Sequence, residues 1–169
     1  MAYTTIPQGI RNALVANWTL AAGLTDVDHI NFDVGWVDLK QLRATNITAQ
    51  VIVSGPIAGP IRYFGPDVSA LGVVSPGLRF LTYHRYVINV WVPIPYGDLT
   101  LVWDGYAEEI RFEIIRILNE LRSGFALIPP GCPMIMFEIP LDAGRALHEL
   151  DATPRILRYE ITIQVDTMS

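Results

Sequence analysis

The sequence predicts an α+β fold, with a mainly antiparallel sheet packed by one long amphipathic helix and by a helix near the N-terminus. Three observations predict it. Within residues 79–122, a long apolar strand ends in a turn containing Pro, Gly and Asp, and an amphipathic helix follows from about residue 99 to 122. A second alternating strand covers residues 155–165. At 169 residues, one domain is expected over residues 1–169.

The N-terminal part supplies a helix and two strands. Thr5 is a hydroxyl N-cap, Pro7 suits a first helical turn, and apolar residues recur at every fourth position, so a helix is predicted over residues 6–22. Two alternating runs, residues 30–36 and 46–54, predict half-buried strands. The apolar face of the first strand is expected to carry Ile30, Phe32, Val34 and Trp36.

Residues 54–77 carry five Gly and four Pro, and this composition predicts turns or an extended arm. Proline lacks a backbone donor, so any pairing in this segment is expected at a sheet edge. Tyr63 and Phe64 are apolar groups that such an arm could offer to a partner. The alternative is an arm that folds back on its own sheet.

The long helix is predicted to begin after an Asp98 cap and to end before Gly124. Glu113 and Arg116 are expected to pair weakly on its solvent side. An apolar stripe is expected to face the sheet, and it consists of Val102, Tyr106, Ile110, Ile114, Ile117, Leu118 and Leu121. Beyond the helix, residues 134–139 predict a short strand, and residues 142–151 a helical turn or a loop.

Two apolar residues of this helix, Leu101 and Phe112, interrupt the stripe. At about 100° per residue they lie almost opposite Ile110, with Ile115 nearby. An apolar patch on the far side of a helix is either a subunit contact or a place that a loop covers. We favour the subunit contact.

Composition also favours association with other chains. Apolar residues make up 51% of the sequence and charged residues only 17%. A small domain with so few charges buries its surplus apolar surface most readily against neighbouring subunits. The alternative is a well-packed monomer with long, uncharged loops.

Charge and cysteine content exclude some classes of protein. The net charge of −5 argues against a dedicated nucleic-acid binder, which needs a basic face to neutralise phosphates. Cys132 is the single cysteine, so no intrachain disulfide is expected. Residues 1–10 do not have the pattern of a signal peptide, and the apolar stretch 13–24 is too short and too interrupted to span a bilayer, so a soluble protein without a membrane partner is expected.

No catalytic set, metal site or cofactor site is predicted. Cys132 lies between Gly and Pro and would be a nucleophile only if a histidine approached it. The densest polar cluster is formed by His148, Glu149 and Asp151, but it lacks the second histidine of a zinc-protease motif. The glycine-rich segment 55–59 has no Lys-Ser/Thr after it, so it is not a phosphate-binding loop.

The order of elements nevertheless resembles a known family. It is carried by residues 86–92 (YVINVWV), by the helix 102–121 and by residues 155–161 (RILRYEI). This succession is similar to that of the tail-terminator, or tail-completion, proteins of tailed bacteriophages and archaeal tailed viruses, and of related neck proteins. The likeness covers about half of the chain and has no signature residue. The segment 54–77 is longer than the family leads us to expect.

The resemblance implies a structural protein of the virion, assembled in the host cytoplasm, and not an enzyme. Such proteins form a homo-oligomeric ring, commonly a hexamer, that ends the tail tube and docks it to the head–tail connector or adaptor. DNA passes through the lumen without specific binding. The expected subunit interface comprises Leu101, Phe112, Ile115, Tyr63 and Phe64. The expected channel-facing acidic residues are Asp26, Asp28, Asp33 and Asp38, because an acidic lining repels phosphate.

Other functions remain open at this point. A head–tail adaptor, a stopper or a tail-tube subunit would also assemble into rings. A small hydrolase or ligand-binding enzyme would require His148, Glu149 and Asp151 to converge in a pocket. A cellular adaptor domain with no viral link is a third class.

Overall fold

The computed structural model describes residues 5–21, 23–36, 46–64, 80–95, 97–123, 134–138, 143–148 and 155–168. Two α-helices and six strands are found in these residues. The helices are α1 (Ile6–Ala16) and α2 (Thr100–Ser123). The strands are β1 (Ile30–Val34), β2 (Ala49–Phe64), β3 (Phe80–Ile94), β4 (Met134–Glu138), β5 (Ala143–His148) and β6 (Arg155–Met168). The predicted α+β fold is confirmed.

One mixed sheet contains all six strands, and its main path is β1-β2-β3-β6. β1 runs parallel to β2, while the β2–β3 and β3–β6 pairs are antiparallel. β4 and β5 both pair with the far edge of β6, β5 beside its first half and β4 beside its second half. The sheet is therefore mainly antiparallel, as predicted, with β1 at one edge.

The helices cover one face of this sheet. Strand side chains alternate between two faces, so the even-numbered residues from Tyr86 to Ile94 and the odd-numbered residues from Leu157 to Val165 point towards the helices. The resulting core is almost entirely aliphatic. Its strand members include Val51, Val53, Ile88, Val90, Val92, Leu157, Ile161, Ile163 and Val165, and its α2 members are Ala107, Ile110, Ile114, Ile117, Leu118 and Leu121.

Helix α1 begins as predicted but ends six residues early. Thr5 and Gln8 form a capping box, in which the Thr5 hydroxyl accepts from the Gln8 backbone N–H. At the other end, both the backbone N–H and the side-chain amide of Asn17 donate to the Ala13 carbonyl, at 3.1 and 2.9 Å. The next residue, Trp18, donates its indole N–H to the Thr25 carbonyl instead of continuing the helix.

β2 corrects the prediction of an irregular arm. The segment 54–64 is part of this long strand and pairs with β3, which is the fold-back alternative. Two register shifts, between Ser54 and Ala58 and between Ala58 and Ile61, absorb the prolines of this segment. Bulges leave some residues unpaired, so a proline there removes no ladder hydrogen bond. Residues 65–77 of the predicted arm lie outside the described residues.

Two further predictions were wrong in detail. Residues 143–148 form a strand, β5, instead of a helical turn or loop, because they pair with β6 from Ala143↔Ile161 to His148↔Ile156. The first strand ends at Val34, where Gly35 adopts a φ of +105°, so Trp36 does not join the inward face. Trp36 is instead 92% exposed.

Candidate interaction surface

The side of α2 that faces away from the sheet carries exposed apolar side chains among charged ones. Leu101 is 82% exposed and Phe112 is 63% exposed. They are eleven positions apart, which is about three turns and about 16 Å along the axis, so they lie on one side of the helix. Leu99 and Val102 extend this surface near the beginning of the helix, and both are exposed. Leu99, Leu101, Val102 and Phe112 are called the α2 outer patch below.

The α2 outer patch differs from the predicted interface at two positions. Val102 was assigned to the stripe facing the sheet, but it is 49% exposed. Ile115 was assigned to the outer side, but it is half-buried and packs against the core. Ile115 lies three residues before Leu118, about 60° around the helix from it, which places its side chain at the margin of the packed face. Near the beginning of the helix, the Asp98 carboxylate accepts from the Trp103 indole at 3.1 Å.

A charged pair flanks Phe112. Arg111 Nη1 lies 3.1 Å from Glu108 Oε2, and both side chains are partly exposed. The Arg111 guanidinium carbon also lies 5.6 Å from the centre of the Phe112 ring, within the range of a cation–π contact. One basic and one acidic group therefore stand beside the most exposed aromatic ring of α2.

Glu113, on the other side of the helix, anchors α2 to the chain that leaves α1. It is only 6% exposed, so the prediction of a solvent-side ion pair was wrong about its burial. Its Oε1 accepts from the Thr19 N–H at 2.7 Å and from the Thr19 hydroxyl at 2.8 Å. Arg116 donates to the same carboxylate and, through Nη2, to the Asn17 carbonyl at 2.8 Å.

These contacts fix the charge of Glu113. The hydrogen bonds from Arg116 lower the pKa of the Glu113 carboxyl from its usual 4.5 to about 2, against the opposing effect of burial. The same hydrogen bonds raise the pKa of Arg116. The pair is ionised over the whole physiological range, and it holds the orientation of α2 relative to α1.

The sheet face that the helices leave uncovered carries a concavity of about 590 Å³. It is lined by Gly35, Trp36, Ser54, Gly55, Pro56, Val87, Asn89, Arg158 and Glu160. These residues come from β2, β3 and β6 and from the two residues after β1. We call this site the open-face concavity.

Arg158 organises the polar wall of the open-face concavity. Its Nε donates to Asn89 Oδ1 at 2.8 Å, and its Nη2 lies 2.6 Å from Glu160 Oε2. The guanidinium also stacks over the Trp91 ring, 5.1 Å from its centre. Three partners on two strands thus fix the guanidinium, and a fixed arginine is well suited to recognise a further polar group.

The sequence indicated part of this concavity. Alternation in the last strand places Arg158 and Glu160 opposite the core face, as expected. Asn89 was missed as a functional candidate, because its contact with Arg158 depends on the β3–β6 register, which pairs Asn89 with Glu160. A polar residue inside an otherwise apolar strand, such as this asparagine, is the signal that points to it.

The predicted acidic residues lie along one edge of the sheet. Asp26 and Asp28 precede β1, which is the edge strand, and Asp33 lies near its end. Asp26 is partly occupied as a cap, since its carboxylate accepts from the Asp28 N–H at 3.0 Å. Asp28 is exposed, and Asp33 is half-buried. Asp38 lies outside the described residues.

The other predicted site residues lie in β2, in β5 or outside the described residues. Tyr63 and Phe64 lie in β2, with their backbones paired to Leu81 and Phe80, and nothing further is described of their side chains. Cys132, Glu149 and Asp151 lie outside the described residues, so no convergence with His148 of β5 is described.

The residues that the structure describes contain no group of three or more His, Cys, Asp or Glu side chains that could hold a metal ion. Neither described helix is both long and apolar enough to cross a lipid bilayer. In comparisons with known proteins, no protein-family model matches this chain, and no curated protein matches it.

Proposed function

We propose that this chain is the repeating subunit of a ring at the head–tail junction of a tailed virus, where the ring ends the tail tube and docks it to the head connector. The α2 outer patch carries this proposal. Leu101 and Phe112 are large apolar side chains that water surrounds in the single chain. Burying them against other copies would recover roughly 1.5–3 kcal/mol for each side chain.

The charge distribution fits a ring around DNA. Asp26, Asp28 and Asp33 lie along the β1 edge of the sheet, on a chain with a net charge of −5. In the proposed ring this edge faces the channel, where negative charge repels phosphate and lets DNA pass without binding. Replacing Asp28 and Asp33 together by Lys is expected to leave the ring intact but to make it retain duplex DNA at low salt. Unchanged DNA retention in a filter-binding assay would remove this edge from the channel.

Assembly itself tests the main proposal. Native mass spectrometry and electron microscopy of the purified protein, alone and mixed with tail-tube and connector proteins, should show one closed ring with a fixed number of subunits. Long stacks of rings would indicate a tail-tube subunit instead. A monomer under all of these conditions would contradict the proposal.

A single substitution examines the patch. Phe112→Asp places a charge where the ring needs an apolar contact, and because Phe112 is exposed we expect the fold to remain and the ring to be lost. Circular dichroism checks the fold, and native mass spectrometry checks the ring. Val15→Asp, at an exposed apolar position of α1, is the matched control and should assemble normally. Normal assembly of Phe112→Asp would exclude this residue from the interface.

A further inference from the structure

We infer that the α2 outer patch of one copy docks into the open-face concavity of the next copy, so that a second copy of this chain occupies both surfaces. This inference rests on the proposed ring, and it names the two faces that meet. It replaces the arm at residues 54–77 as the complementary surface, since residues 54–64 are paired within the sheet.

The two surfaces point in opposite directions. The domain has two layers, and the buried face of α2 packs on one face of the sheet. Leu101 and Phe112 therefore point away from the sheet on one side of the subunit, while the open-face concavity lies on the opposite side. A contact between opposite sides of identical subunits is heterologous, and heterologous contacts generate rings when the rotation closes.

The shapes and polarities are compatible. The open-face concavity holds about 590 Å³, whereas an engineered cavity of about 150 Å³ accepts a benzene ring. It can therefore receive Phe112 together with neighbouring atoms. Its exposed wall is apolar where Trp36 and Pro56 lie, and the buried Val87 also lines it. Trp36 is almost fully exposed in the single chain. Aromatic side chains that are exposed in this way are the residue type most often found at the centre of interfaces.

The charges are complementary as well. Beside Phe112 stand Arg111 and Glu108, and in the open-face concavity stand Arg158 and Glu160. Each surface carries one group of each sign, so an acid of one copy can meet a base of the other without net repulsion. Both ion pairs are partly exposed, so breaking them to form new pairs across the contact costs little free energy.

This arrangement favours a second copy over a nucleic acid. In the open-face concavity Glu160 balances the charge of Arg158, so no net positive charge attracts phosphate. The contact engages Gly35 and Trp36 at the end of the β1 edge, and it leaves Asp26 and Asp28, which precede β1, outside the concavity. The acidic edge can then face the channel in every subunit.

Disulfide cross-linking tests the contact directly. The native thiol is first removed with Cys132→Ser, and Glu109→Cys, at an exposed position one turn before Phe112, is then combined with Ser54→Cys, which lines the concavity. Oxidation of assembled rings should produce a ladder of covalent multimers up to the full ring. Neither Glu109→Cys alone nor Ser54→Cys alone should produce one. A dimer from Glu109→Cys alone would show two patches facing each other and would overturn the inference.

A second measurement does not depend on thiol chemistry. Trp36→Ala should raise the protein concentration at which half of the chains are in rings by about tenfold or more. Leu24→Ala, an exposed apolar control outside both surfaces, should leave that concentration unchanged. Rings that form normally with Trp36→Ala and give no ladder would reject this pairing of faces while the proposed function stands. The absence of rings from the unmodified protein would reject the proposed function itself.

Discussion

The two faces of the sheet have the same strands but different chemistry. In β3, Ile88 and Val90 point to the helices and lie in an aliphatic core, while Val87 and Asn89 point to the open side beside Arg158. Asn89 is nearly as buried as its apolar neighbours. Burial alone therefore does not identify the core. The covered face is built mainly from aliphatic side chains, whereas the other face carries polar groups such as Arg158 and Glu160, which contacts between neighbouring strands hold in place.

The largest expected effect concerns Glu113, a charged group on the covered side. Its folded-state pKa of about 2 lies below the usual 4.5, so its contribution to stability is fully present above pH 4.5 and is lost as the pH falls towards 2. Glu113→Gln should lower the free energy of unfolding at pH 7 by about 3 kcal/mol, since Thr19 and Arg116 lose an ionised acceptor.

Urea unfolding of both proteins between pH 7 and pH 2.5 measures this effect. The difference between wild type and Glu113→Gln should shrink steadily below pH 4.5. A stability difference that stays constant with pH would mean that ionisation of Glu113 does not stabilise the fold. The helix-covered side and the other side of the sheet would then not differ in this respect.

A smaller loss of folding stability is expected from a substitution at Gly55 of β2. Gly55 has a φ of +135°, and a Cβ built there would lie 2.8 Å from Tyr86 Cδ1 and 3.1 Å from Tyr86 Cα. Gly55→Ala should therefore cost about 2 kcal/mol of folding stability. Gly105→Ala is the control, because its Cβ meets nothing within 4 Å and alanine favours a helix. Thermal unfolding should rank the control at or above wild type, and equal losses in both variants would refute the steric argument.

The smallest expected loss of stability comes from placing the same hydroxyl on each of the two faces of β3. Val90→Thr places a hydroxyl in the aliphatic core and should cost about 1–2 kcal/mol, because the new polar group has no partner there. Val87→Thr places the same group at a position that is also buried but lies beside Ser54 and Asn89, and because these polar side chains can hydrogen-bond to the hydroxyl it should cost less than about 0.5 kcal/mol. Chemical denaturation measures the loss of folding stability in the two variants. Equal losses would show that a hydroxyl is as unfavourable on the one face of the sheet as on the other.

Local patterns predicted much of this fold. Alternation placed the final strand from residue 155 and divided its two faces correctly, and helical spacing located α2 to within a residue at each end. Both patterns depend only on the geometry of one helix or one strand, so they can be recognised in the sequence of that segment alone. The failures depend on distant partners. The segment 54–64 is rich in Gly and Pro and becomes a strand because β3 lies beside it, and β5 exists because β6 offers an edge.

The candidate surfaces also divide into one that a local pattern predicted and one that depends on contacts between distant segments. Leu101 and Phe112 were predicted from helical angle alone, and their exposure agrees with that angle. The open-face concavity required the order of the strands, since β2, β3 and β6 contribute to it from positions far apart in the chain. The burial of Glu113 could not be predicted from α2, because its hydrogen-bond partner Thr19 lies 94 residues away.

The interior position of β6 has a consequence for how the protein is made. β3 has β2 on one side and β6 on the other, and the β3–β6 ladder joins residues such as Ile88 and Ile161 that are far apart in sequence. Pairings of this kind form late, since the intervening chain must close a long loop first. We expect a nascent chain to leave one side of β3 unsatisfied until residues 155–168 emerge from the ribosome, so that premature association with other copies is a hazard during synthesis.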